Sequence, residues 1–170
     1  MKISQIDIPT SSLINKSLPV NHYADCFSCE FRSKEIVPLE RIARSFLNYN
    51  PGWVKCLVVL RNILVKPFNL QTGTDNSSII TISKGSKASI FKVLEMNDDE
   101  LLLYYADKHL DACFSIMLNR LHHQNEITAS TTVYFHNNLG RIYFFFIKPF
   151  HILIIKSMLI RVTNNFLQTN

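Results

Sequence analysis

The sequence predicts an α+β fold in which a curved antiparallel sheet of seven strands wraps around a long C-terminal helix. Three observations carry this. Apolar residues recur with a period of two over most of residues 78–148, the signature of half-buried strands. The breaks between these stretches are short (Lys84-Gly85-Ser86, Asn97-Asp98-Asp99), and short turns join antiparallel neighbours. After Pro149 the spacing changes to helical, with Phe150, Ile154, Ile155, Met158, Leu159 and Val162 on one face. A length of 170 residues suits one domain, and 47% hydrophobic against 18% charged residues supports an ordered core. One domain is expected over residues 21–168, preceded by a lead-in at residues 1–20.

Each element has a local cause. Pro9, Ser11, Ser12 and Pro19 interrupt the lead-in. Residues 23–31 read as the first strand, because Tyr23, Asp25, Phe27, Cys29 and Phe31 alternate with Ala24, Cys26, Ser28 and Glu30. Pro38 opens a helix whose apolar positions are Leu39, Ile42, Ala43, Phe46 and Leu47. Asn50-Pro51-Gly52 ends it, and a second helix is expected from Trp53 to Val65, with its stripe at Trp53, Cys56, Leu57, Leu60, Ile63 and Leu64. The remaining strands are expected at residues 78–83, 89–96, 101–106, 109–121, 127–136 and 141–147. Asn137-Asn138-Leu139-Gly140 is expected to be the turn before the last of these, with Gly140 at positive φ. That last strand reads apolar on both faces, which leaves a homodimer open as a partner state.

Charge and cysteine usage narrow the function classes. The net charge is +5, with a pI of about 9.1, yet the basic residues are scattered, so no nucleic-acid partner is expected. Four cysteines suit a reducing compartment, and a cytoplasmic protein without a secretory signal is expected. The longest apolar stretch, residues 142–160, is interrupted by Lys148, Pro149, His151 and Lys156, so a soluble chain without stable membrane insertion is expected.

Few motifs carry chemistry. Cys26-Phe27-Ser28-Cys29 has the spacing of half a zinc site, but residues three apart on a strand point to opposite faces, and no second pair completes four ligands. No metal is expected. His122-His123 falls in a turn. Gly73 and Gly85 are isolated, and neither phosphate-cradling loops nor a nucleophile elbow occurs, so no cofactor is expected. Arg61 interrupts an apolar helix stripe, as a snorkelling arginine or a pocket-mouth residue would. Asp107, His109 and Asp111 share one strand face and could form an acid–base group. Leu110, Phe114 and Ile116 lie on the opposite, apolar face, so the trio is expected to point outward and no catalytic residue is assigned.

Several local strings resemble an uncharacterised bacterial family of domains of unknown function. They are Trp53-Val54, Leu60-Arg61-Asn62, the run from Asp107 to Asp111, the run from Asn138 to Phe144, Ile147-Lys148-Pro149-Phe150-His151, and the opening Tyr23-Ala24-Asp25-Cys26-Phe27. The resemblance covers roughly residues 21–161. That family looks like part of the helix-grip superfamily (SRPBCC), with START-type lipid-transfer domains, polyketide cyclases and birch-pollen-allergen-like proteins. The resemblance implies a sheet gripping the last helix around a ligand cavity. In the family an aromatic residue and an arginine follow the Leu-Asp pair; here Ala112 and Cys113 follow Leu110-Asp111, so a function using that arginine does not carry over.

The expected function is the binding of a small hydrophobic, lipid- or polyketide-like ligand rather than catalysis. The expected cavity residues are Trp53, Leu57, Leu60 and Arg61 on the second helix, and Leu110, Phe114, Ile116 and Phe135 on the strands. Phe144, Phe146, Ile155, Met158 and Leu159 complete the set. The alternatives are a cyclase- or dehydratase-like enzyme using acid–base residues in the cavity, and a non-catalytic oligomeric interaction domain.

Overall fold

Alternating side chains build one open antiparallel sheet among the described residues, with a long C-terminal helix across one face. The structure is a computed structural model, and it describes residues 2–33, 36–48, 82–88, 91–120 and 124–167. In chain order the elements are β1 (Ile3–Gln5), a 3-10 turn (Leu13–Lys16), β2 (Tyr23–Phe31), α1 (Leu39–Leu47), β3 (Lys87–Ala88), β4 (Phe91–Met96), β5 (Glu100–Ala106), β6 (Leu110–Arg120), β7 (Asn125–Phe135) and α2 (Asn138–Leu167). The strand order is β1-β2-β7-β6-β5-β4-β3, so β2 and β7 pair across most of the chain's length. Their register sets Asp25 opposite Thr131 and Phe27 opposite Ala129.

Turn chemistry follows from the residues at the breaks. Asn97 accepts the backbone N–H groups of Asp99 and Glu100 at 2.9 and 2.6 Å, closing the turn between β4 and β5. Asp107 accepts the N–H of Lys108 at 2.6 Å in the next turn. In α1, Pro38 sits at the cap position, and Leu39, Ile42, Ala43 and Phe46 are the buried face, as their spacing predicts.

The strand pleat divides the apolar residues between two faces. Phe27, Cys29 and Phe31 of β2, Ile116 and Leu118 of β6, and Ile127 and Ala129 of β7 meet Ile155, Leu159, Val162 and Phe166 of α2 in the main core. The other face is covered by the N-terminal segment. Ile14 is fully buried there against Leu102 and Cys113. Glu100, also buried, accepts hydrogen bonds from the Ser12 hydroxyl (2.6 Å), the Leu13 N–H (2.9 Å) and the Ser115 hydroxyl (2.5 Å). The first twenty residues are therefore more than a lead-in: they form one sheet edge and cover the outer face.

The expected strands are not matched one for one. Residues 141–147 are helical, because α2 starts at Asn138 and continues through Pro149. A run that is apolar on every side fits a buried strand and a helix equally well, so periodicity could not separate them. The deciding feature is Asn137, which caps the helix by accepting the Gly140 N–H at 3.0 Å. Gly140 is therefore a first-turn helix residue and not a positive-φ turn residue. A Cβ added there would lie 2.1 Å from the His109 carbonyl oxygen. Its smallness serves close approach between the start of α2 and the turn after β5. The expected second helix and nearly all of the expected strand at 78–83 lie outside the described residues; Ile82 and Ser83, its last two, are described and are not in a strand.

Candidate functional site

Odd-numbered residues of β2 face α2, and this places one carboxylate among aromatic and aliphatic side chains. Asp25 has a side chain only 2% exposed. Its Oδ2 accepts the Tyr23 hydroxyl at 2.5 Å and stands 3.4 Å from Nε2 of His151, which α2 brings down from above. The same His151 nitrogen is 3.1 Å from the hydroxyl oxygen of Thr131, the cross-strand partner of Asp25. The Phe144 ring lies 4.7 Å from that of Tyr23, and the Lys148 ammonium sits 4.8 Å from the centre of the Tyr23 ring. Oδ1 of Asp25 is buried with no hydrogen-bond partner.

The electrostatics follow from this packing. Burial pushes the Asp25 carboxyl up, but the hydrogen bond and charge of His151, with the Tyr23 and Thr131 hydroxyls, outweigh it and hold the group below the ordinary aspartate range. Burial, then the hydrogen bond to Asp25, pushes the Tyr23 phenol upward. The result is a buried, ionised carboxylate with one oxygen still able to accept. A carboxylate beside an imidazole can anchor a donor group on a ligand or orient the ring for proton transfer. Among the described residues, no group of three His, Cys, Asp or Glu side chains could hold a metal ion.

The expected cavity residues are distributed unevenly. Trp53, Leu57, Leu60 and Arg61 lie outside the described residues. Ile116, Ile155 and Leu159 are buried in the main core, with Phe114 and Met158 packed partly buried against it. Leu110 and Phe144 form a smaller cluster with Val133, and Phe135 flanks it, close to Tyr23. Phe146 does not belong with them. As a helix residue rather than an inward strand residue, it faces outward and is 55% exposed.

The trio at the start of β6 is tied to turn structure. Asp107 holds its own turn, as described. His109 meets Asn137 rather than a carboxylate, its Nδ1 lying 3.2 Å from the Asn137 Oδ1. Asp111 pairs with His136 at 3.1 Å; burial, then the influence of the Asp111 carboxylate, pushes the Tyr104 phenol up to about 12. Cys26 and Cys29 do diverge: Cys26 accepts from Ser130 at 3.1 Å, whereas Cys29 faces Thr163 of α2 at 3.9 Å. Burial pushes both thiols up, away from the reactive thiolate.

The Tyr23, Asp25, Thr131 and His151 group was not singled out from sequence. Its signal was present: Asp25 is the one charged residue on the aromatic face of its strand, and His151 interrupts an apolar helix. The sequence model of a family described as "Protein of unknown function (DUF2867)" matches residues 17–158 of the chain. No curated protein matches it.

Proposed function

The chain belongs to the DUF2867 family, and we propose that it binds a small apolar ligand carrying one hydrogen-bond donor, held between the sheet and α2. The observation that carries this reading is the buried, unpartnered Oδ1 of Asp25, set with Tyr23, Thr131 and His151 beside the aromatic and aliphatic side chains of the sheet and α2. An unsatisfied carboxylate oxygen costs free energy unless a donor reaches it. Apolar surroundings with a small number of convergent polar groups are the usual composition of a small-ligand site. The resemblance to the helix-grip superfamily supports the same reading, since a sheet wrapped around its last helix is where such domains hold their ligands. The pairing of Asp25 with His151 favours a second reading, an acid–base enzyme of the cyclase or dehydratase kind acting on the same class of molecule.

Extraction of the purified full chain into organic solvent, followed by mass spectrometry, tests the proposal. A retained apolar species near one per chain is expected. Asp25→Asn should reduce it on the order of tenfold, the scale of one lost hydrogen bond to a charged group. Extracts no richer than those of an unrelated protein would reject the binding reading.

A further inference from the structure

α2 and β2 run in the same direction, and their contacts advance together. Phe144 and Lys148 meet Tyr23, and His151 meets Asp25. Further on, the Lys156 ammonium lies 5.1 Å from the centre of the Phe27 ring, and the Phe166 ring lies 5.8 Å from that of Phe31. The eight helical residues from Lys148 to Lys156 and the four strand residues from Tyr23 to Phe27 each span about 12–13 Å. Asp25 and His151 therefore stand between two ammonium groups. Arg141 extends the row, its guanidinium 5.7 Å from the centre of the Phe135 ring.

These three cations are not neutralised by the protein. α2 contains no Asp or Glu. Among the described residues no ion pair involves Arg141, Lys148 or Lys156, and the Asp25 carboxylate turns to Tyr23 and His151 instead. All three basic residues are exposed, while the rings beneath them hold their charges on the sheet side of the helix. Among the described residues no strand pairs with the Tyr23–Asp25 part of β2 on the side away from β7, because β1 lies opposite Phe27–Cys29. Half-buried Tyr23, with exposed Lys148 against its ring, is thus the solvent-side end of the group.

Uncompensated cations gathered at one rim raise the local concentration of anions. Resting on the ligand reading above, we propose that the ligand is an anionic amphiphile. Its carboxylate or phosphate meets the Lys148 ammonium, with Arg141 and Lys156 on either side. A hydroxyl close to the acid group donates to Oδ1 of Asp25, and the apolar chain lies between the sheet and α2. A cationic amphiphile would also satisfy Asp25, but it would meet three like charges at the rim.

Calorimetric titration of the full chain with 3-hydroxydodecanoate and with its methyl ester tests this, since the two share chain and hydroxyl and differ in charge. The acid is expected to bind on the order of tenfold more tightly than the ester, the scale of one charge-assisted hydrogen bond, and its advantage should shrink as salt is raised. Lys148→Gln should remove most of that advantage and leave ester binding unchanged, while Lys148→Arg should keep it. Lys148 is exposed, so an unchanged melting temperature is expected for both variants. Equal binding of acid and ester would overturn the inference and leave the ligand reading standing. So would an equal loss of both in Lys148→Gln, or displacement of the acid by an equal concentration of inorganic phosphate, which would make the rim a site for free anions. Binding of neither probe, together with an empty solvent extract, would remove the ligand reading and the inference with it.

Discussion

Asp25 stands on β2 between Tyr23 and Phe27, on a face that otherwise buries aromatic rings and a thiol. Its ionised form persists there because His151, Tyr23 and Thr131 supply the donors that water would have supplied. A carboxyl held below its ordinary pKa stabilises the fold fully above about pH 3.9, the unfolded value. That contribution is lost as pH falls through the lower folded value. Asp25→Asn is expected to cost about 1–3 kcal/mol near neutral pH, since it removes a charged acceptor from buried donors. Melting temperatures of the two proteins should then converge as the pH is lowered through this range. A difference that stays constant from pH 7 to pH 2 would show that the charge of Asp25 has no part in stability.

At the scale of elements, the start of α2 is fixed by a small set of polar contacts. Asn137 accepts from Gly140 and meets the His109 ring, while the His109 carbonyl accepts the His136 N–H at 3.0 Å. This binds the first helical turn to the turn between β5 and β6 and leaves no room at Gly140. Gly140→Ala would gain at most about 1 kcal/mol of helix propensity. Against this, a Cβ lying 2.1 Å from backbone oxygen forces the two elements apart, and overpacking costs roughly 1–3 kcal/mol. The clash is with backbone rather than a yielding side chain, so net destabilisation is expected, read as a lower urea midpoint with an unchanged slope. A variant as stable as the parent would mean that the helix start can shift without loss.

For the whole molecule, the sheet is covered on both faces by segments from opposite ends of the chain. α2 supplies one cover, lying mainly over β2 and β7. The N-terminal segment supplies the other, and Glu100 is its anchor. Both Glu100 oxygens accept from that segment, and Ser115 donates to one of them. Glu100→Gln exchanges an acceptor for a donor and so sets N–H against N–H or O–H. Release of the segment is expected: faster amide exchange at Leu13 and earlier proteolytic cleavage within the first twenty residues, with β6 and β7 still protected. Unchanged exchange at Leu13 would show that Ile14 and its apolar neighbours hold the segment without Glu100.

Local patterning determined a good deal of this protein. The alternation in β2, β5, β6 and β7, the Pro38 start and buried face of α1, the Asn97 and Asp107 turns and the apolar face of α2 beyond Pro149 all arise between residues close in sequence, where periodicity and turn chemistry act. So does the divergence of Cys26 and Cys29, which needs only the pleat. Other features required the tertiary structure because their causes are distant in sequence. Residues 141–147 carry no periodic preference between strand and helix; the helix capped at Asn137, docked on the turn at His109, decided it. The same decision turned Phe144 inward and Phe146 outward. Asp25 shares its site with His151, residues that only the packing of α2 across β2 brings within 3.4 Å, and Ser12 reaches Glu100 only once the sheet exists to receive the N-terminal segment. Periodicity reports which side of an element is apolar, whereas the partner each buried polar atom finds depends on how the elements meet.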